Sequence, residues 1–180
     1  LRAEWEALLK IEDDRQRHVR LQNYLDLGRG QCVLRKPQVA KMVEDSLRFR
    51  HEVQYDLRAW VIMPNHVHVL FKVKAVPMWQ LLDAWKGFTA KTANRALQRK
   101  GKFWEERYWD TYMRNEAHET RARLYIENNP VKAGLVAFRR DWPWSSARFR
   151  DEYEKLCLPV QGRVPRSFSE RARLGHSDPG

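Results

Sequence analysis

Val53-Gln54-Tyr55-Asp56-Leu57-Arg58-Ala59-Trp60-Val61-Ile62-Met63-Pro64-Asn65-His66-Val67-His68-Val69-Leu70-Phe71-Lys72-Val73 carries the clearest structural signal in the chain. Its first half is apolar at every second position, through Val53, Tyr55, Leu57, Ala59, Val61 and Met63. That is the period of a strand with one buried face. Pro64-Asn65 interrupts the run, and Val67, Val69, Phe71 and Val73 then resume it. The two runs predict a β-hairpin and hence an antiparallel sheet.

Moving outward, Pro37 opens a helix that runs to about residue 49 with Val39, Met42, Val43 and Leu47 facing inward. Before it, Cys32-Val33-Leu34 reads as a short strand and Asp26-Leu27-Gly28-Arg29-Gly30 as a turn. Residues 1–22 form a loosely amphipathic helical pattern on Trp5, Leu8, Leu9, Ile11, Val19 and Leu21. On the other side of the hairpin, a helix over residues 79–98 turns Leu81, Leu82, Trp85, Phe88 and Ala93 toward a core. The aromatic-rich residues 101–113 are expected to hold the next strand or strands. A helix over residues 116–128 follows and is expected to stop before Asn129-Pro130. The order strand, helix, strand, strand, helix, strand, helix places the chain in the α+β class. It divides into a helical arm (1–23), one core domain (24–149) and a basic tail (150–180).

The 180 residues carry a formal net charge of +11, and 43% are hydrophobic. The apolar share is enough for a real core, and the charge favours a polyanionic partner bound through many phosphate contacts. No run approaches the roughly 20 apolar residues of a membrane span, and no signal-peptide core opens the chain, so a cytoplasmic location without a membrane role is expected. Cys32 and Cys157, the two cysteines, have no His or Cys at metal-ligand spacing, which excludes a zinc ribbon and a disulfide scaffold.

Two groups of residues could do chemistry. His66 and His68 are two apart at the start of a strand, so both face one side with backbones about 6.8 Å apart. Val67 and Val69 meanwhile anchor the opposite face. Paired imidazoles in this position can hold one divalent ion, although surface or hydrogen-bonded core histidines show the same spacing. Tyr125 and Asn129 are four apart and project from one face of a helix, which sets a phenol beside an amide oxygen. A phenol is almost wholly protonated at neutral pH, so as a nucleophile it would need a metal ion or a base to help it.

Residues 60–70, Trp-Val-Ile-Met-Pro-Asn-His-Val-His-Val-Leu, followed by residues 125–136, Tyr-Ile-Glu-Asn-Asn-Pro-Val-Lys-Ala-Gly-Leu-Val, resemble the signature pair of the REP-associated tyrosine transposases. These belong to the single-tyrosine His-hydrophobic-His superfamily. Residues 85–91, 103–110 and 142–146 match the same family, so the resemblance covers roughly residues 24–149. It implies a ferredoxin-like antiparallel sheet with helices packed on one face. It also implies an Mg²⁺ or Mn²⁺ ion held by His66 and His68 with Asn129 as third ligand, and Tyr125 as nucleophile. The reaction implied is cleavage of single-stranded DNA through a 5′-phosphotyrosine with release of a 3′-hydroxyl, followed by strand transfer.

Substrates in the family are short palindromic repeats folded as hairpins, recognised with a flanking single strand. Lys91, Arg95 and Arg99, with Lys86, Lys100 and Lys102 nearby, are the candidate phosphate contacts, unless this stripe is only a solvated helix face. Arg163, Arg166, Arg171 and Arg173 of the tail carry the same two readings. Relatives begin with a longer first strand, whereas here its counterpart is short and preceded by a charged arm. A monomer is favoured, with a dimer as the other possibility. Two alternatives stay open: a hairpin-binding protein without chemistry, and a metal-dependent hydrolase that does not use the phenol.

Overall fold

The computed structural model describes residues 2–105 and 111–159. The arm consists of two helices, α1 (Arg2–Leu9) and α2 (Asp14–Asp26). The break comes where Asp13 caps α2, its carboxylate accepting the Gln16 N–H at 2.6 Å. Helix α2 runs to Asp26, past the expected boundary at residue 23. Gly28 and Gly30, both at positive φ, then turn the chain sharply.

The strand expected at residues 32–34 is absent, and Val33–Arg35 is a single 3-10 turn. The reason is spatial. The Leu34 N–H donates to the Pro64 carbonyl at 3.1 Å, fastening the segment to the hairpin turn, and Pro37 starts the next helix at once. Nothing remains to extend. Helix α3 (Pro37–Phe49) matches its expected bounds and buries Val39, Val43 and Leu47.

Strands β1 (Tyr55–Ile62) and β2 (Val67–Val73) pair antiparallel, as the alternation predicts. The pairing contains one irregularity: Leu57 faces Phe71 and Ala59 faces Leu70, leaving Arg58 as an extra residue. A bulge reverses the side on which every later residue points. Tyr55, Leu57, Trp60 and Ile62 therefore share one face, while Ala59, Val61 and Met63 share the other. The single buried face read from the sequence is in fact two half-faces, both buried. Val53 lies outside the strand and is exposed.

Helix α3 and helix α4 (Met78–Ala96) pack together on the Trp60 face, where Tyr55, Phe71 and Trp85 meet edge to face with centroids 5.1–5.7 Å apart. Helix α5 (Glu116–Lys132) lies against the other face through Ile126. The α+β architecture with its antiparallel sheet and α3 and α4 on one side follows the expectation, and α5 adds cover to the side where His68 points. Helix α5 does not stop before Asn129-Pro130 but runs one turn beyond. Proline lacks the N–H that would bond the Ile126 carbonyl, yet the helix continues past that one missing bond. Beyond Pro130 the Ala133 N–H still reaches the Asn129 carbonyl and the Leu135 N–H the Pro130 carbonyl, both at 2.9 Å, as Gly134 takes the left-handed cap conformation.

The open edge of β1 is covered by residues 142–150. The Ile62 N–H donates to the Trp144 carbonyl at 2.8 Å, the Trp60 N–H to Ser146 Oγ at 3.0 Å, and Trp142 Nε1 to the Ile62 carbonyl at 3.0 Å. An edge left bare would expose unpaired backbone groups, and this segment satisfies them. Of the residues expected to hold a further strand, 101–105 and 111–113 are not in one, and 106–110 lie outside the described residues. The tail arginines also lie outside them. Among the described residues no helix is long and apolar enough to cross a membrane.

Candidate active site

The hairpin turn and the last turns of α2 and α5 converge on one point. His66 stands just before β2 and is 8% exposed, and His68 is the second residue of the strand. Their Nε2 atoms are 3.1 Å apart. Tyr125 of α5 sets its ring edge-on to His68 with centroids 5.8 Å apart, and is 40% exposed. Asn129, one turn further, is buried beside Asp26, toward which its Nδ2 donates at 3.3 Å. The four residues expected to carry the chemistry are thus gathered within one chain.

Asn65 orients the pair. Its Nδ2 donates to the carbonyls of Leu25 and Arg29, both at 2.9 Å, so its Oδ1 is left as acceptor for His66 Nδ1 at 2.8 Å. His66 therefore carries its proton on Nδ1 and presents a lone pair at Nε2. Gln22 Nε2 donates to His68 Nε2 at 3.0 Å and to Asp26 Oδ1 at 2.9 Å, so one amide ties the second imidazole to the carboxylate. Burial, with the nearby His68, pushes the His66 imidazole down to about 3 against the opposing pull of Asp26, so the ring is neutral.

Asp26 was not singled out from the sequence, where it reads only as the start of a glycine turn. Burial alone would push its carboxyl up. Hydrogen bonds from Lys132, Gln22 and Asn129 outweigh that and hold it below the usual range. Its ligand atom and those of His66 and His68 all lie within 4.8 Å of one another. Asn129 Oδ1 is buried with no hydrogen-bond partner. Two imidazoles, a carboxylate and an amide oxygen without a hydrogen-bond partner thus stand together, a set of nitrogen and oxygen ligands. A divalent cation fits that set.

Tyr125 is held by burial, and then by the charge of Asp26, as a phenol whose pKa is pushed up to about 12. Lys132 Nζ lies 5.7 Å from the ring centroid and 2.8 Å from Asp26 Oδ2. The open side next to Asp26 is a pocket of about 440 Å³ lined by Asn23, Asp26, Leu27, Lys132 and Ala133. A second cleft of about 530 Å³, lined by Thr111, Tyr112, Arg114, Asn115, His118 and Arg121, lies at the start of α5. Arg121 is one turn before Tyr125 on the same helix face.

The expected basic stripe is elsewhere. Helix α4 packs on the face of the sheet opposite the histidines. Lys91, Arg95 and Lys100 are exposed there. Lys86 donates to the Glu105 carbonyl at 2.7 Å, and Lys102 pairs with the Glu105 carboxylate at 3.0 Å. Arg99 is tied to Gln31 Oε1 at 3.1 Å and the Lys102 carbonyl at 2.8 Å.

Comparison with known proteins bears on the family and the fold. The REP-associated tyrosine transposase of Escherichia coli (strain K12) is 27% identical over 120 residues, covering 63% of this chain and 66% of that protein. A REP-associated tyrosine transposase described as putative, from Haemophilus influenzae (strain ATCC 51907 / DSM 11121 / KW20 / Rd), is 28% identical over 103 residues, covering 51% of this chain and 58% of that one. The chain thus spans somewhat less than two thirds of each relative's length. The solved structure of a REP-associated tyrosine transposase bound to a REP hairpin shares the fold, with a TM-score of 0.55 and 21% identity over 76% of this chain and 82% of the other. The resemblance read from the motifs is borne out. A family model for IS200-like transposases matches residues 32–129, more than half the chain and the whole span from the 3-10 turn to Asn129, and the chain belongs to that family.

Proposed function

We propose that this protein is a metal-dependent endonuclease and strand transferase for single-stranded, hairpin-forming DNA, with Tyr125 as nucleophile. The observation that carries the reading is the placement of a half-exposed tyrosine against a paired-histidine centre that also holds a buried amide oxygen, Asn129 Oδ1, with no hydrogen-bond partner. His66, His68 and Asn129 are the residues to hold Mg²⁺ or Mn²⁺. When bound, such an ion polarises a phosphate oxygen and offsets the negative charge that builds up there.

The chain's own residues do the rest. Tyr125 Oη gives up its proton and bonds to phosphorus while the bond from phosphorus to the 3′ oxygen breaks. The leaving oxygen takes up a proton, which leaves a 5′-phosphotyrosine and a free 3′-hydroxyl. Helix α5 orients Tyr125, and Lys132 supplies a positive charge beside the ring. Because the phosphotyrosine retains the ester, attack by another 3′-hydroxyl rejoins strands without ATP. Arg114 and Arg121 at the second cleft are placed to guide the single strand toward Tyr125. Lys91, Arg95 and Lys100 remain for the hairpin stem. All four central residues belong to one chain, which supports a monomer as the working unit.

Mass spectrometry tests the reading after incubation with Mn²⁺ and hairpin oligonucleotides taken from repeats flanking the gene. A covalent oligonucleotide on Tyr125 is expected. Cleavage without an adduct would favour hydrolysis, and binding without cleavage would favour a hairpin-binding protein.

Asn65 offers a second test. Asn65→Ala removes the acceptor that keeps the His66 proton on Nδ1, and such orienting partners are typically worth about 10–100-fold in metal affinity. Titration calorimetry with Mn²⁺ should register that loss. Unchanged affinity would remove Asn65 from the centre.

A further inference from the structure

The end of α2 brings two side chains to the histidine centre. Gln22 and Asp26 are one helical turn apart, and the Gln22 amide links Asp26 to His68. Asp26 Oδ1 is 3.8 Å from His66 Nε2, against 3.1 Å between the two Nε2 atoms. Around an ion with bonds of about 2.1 Å, neighbouring ligand atoms are roughly 3 Å apart and opposite ones about 4.2 Å. The observed spacings fall in that range or close on it with a small movement.

The cationic partner of Asp26 does not account for its position. The Asp26 side chain is 10% exposed, while Lys132 is 55% exposed, and an ion pair with so exposed a lysine contributes little. The carboxylate stands instead among imidazoles and amides beside an open pocket, with its ligand atom within 4.8 Å of those of both histidines. The ligand chemistry agrees: two imidazoles and one neutral amide oxygen suit Zn²⁺ better than Mg²⁺ or Mn²⁺, whereas an added anionic oxygen moves the set toward the harder ions.

We infer that Asp26 is a fourth ligand of the cation held by His66, His68 and Asn129, so that the N-terminal arm completes the metal centre instead of merely flanking it. The inference rests on the metal-dependent reading above. It makes Lys132 a competitor for the carboxylate, paired with Asp26 when no ion is bound.

The test uses Mn²⁺ affinity by titration calorimetry and the visible ligand-field spectrum of the Co²⁺ form, on the wild-type chain, Asp26→Asn and Lys132→Met. Thermal melts without metal check folding. Asp26→Asn keeps the size and some of the hydrogen bonding. It should lower Mn²⁺ affinity by at least about tenfold and alter the Co²⁺ bands. Lys132→Met frees the carboxylate and should tighten Mn²⁺ binding, which keeps the proposal exposed even if Asp26→Asn fails to fold. An unaltered Co²⁺ spectrum in Asp26→Asn, or weaker Mn²⁺ binding in Lys132→Met, overturns the assignment of Asp26 and leaves the two-histidine centre standing. A wild-type chain that binds neither ion overturns both readings.

Discussion

Tyr125→Phe should eliminate cleavage and the covalent adduct while hairpin binding stays within about twofold of the wild type. The substitution removes one oxygen from a ring that is 40% exposed, and the ring's edge contact with His68 survives it. The fold and the metal centre should therefore be unaffected. Loss of a covalent nucleophile costs at least about four orders of magnitude in rate where no other group can replace it. Single-turnover cleavage of a labelled hairpin, run beside a gel-shift titration, separates chemistry from binding. Retained cleavage would mean that water is the nucleophile and that Tyr125 is a bystander. Loss of binding together with cleavage would mean that the hydroxyl positions DNA. Burial and Asp26 hold the wild-type phenol protonated, its pKa pushed up to about 12, so the proposed attack needs charge supplied when substrate and metal arrive, not a preformed phenolate.

The hairpin and the two ends of the site were legible because they depend on local periodicity. A two-residue repeat marks strands, His-x-His within it must share a face, and Tyr125 and Asn129 at a four-residue spacing must share a helix face. What the pattern hid was non-local. Arg58 looks like any polar residue of an alternating strand, yet as a bulge it sends Tyr55 and Trp60 to one side and Val61 and Met63 to the other. Because both sides are buried, the alternation gave no sign of the reversal. Asp26 joins the site only because Leu34 is tied to Pro64 and Asn65 to Leu25 and Arg29, contacts spanning some 30 to 40 residues. Pro130 pointed to the wrong helix end because a proline removes one hydrogen bond without ending a helix, and the Ala133 and Leu135 N–H groups carry the bonding past it. The basic stripe of α4 was visible as a stripe, but no spacing rule says which side of a sheet a helix will cover.

Glu127 should be the most sensitive structural position near the site, and Glu127→Ala should destabilise the chain by about 3–5 kcal/mol. Two residues after Tyr125, it is fully buried, whereas Tyr125 is 40% exposed. One carboxylate oxygen receives Arg150 Nε at 2.9 Å and the Ser146 hydroxyl at 2.7 Å; the other receives Arg123 at 3.3 Å and Arg139 at 3.4 Å. Three guanidinium groups meet around one anion. Ser146 and Arg150 in turn hold the edge of β1, through the Trp60 N–H at 3.0 Å and the Arg58 carbonyl at 2.5 Å. Removing the anion leaves the arginines repelling one another and an inward Arg150 with less than its full set of acceptors. Glu154 would still neutralise Arg123 and Arg139, at 2.8 and 2.5 Å, so the damage should concentrate at Arg150 and the β1 edge. Glu127→Gln keeps the shape and part of the hydrogen bonding and should cost less. For a chain of this length 1 kcal/mol corresponds to roughly 2–4 °C in Tm, so Glu127→Ala should melt roughly 6–20 °C lower. A melt within 2–4 °C of the wild type would mean that the arginines are satisfied without Glu127. In that case the link from α5 through Ser146 to β1 would not be what holds Tyr125 against His68.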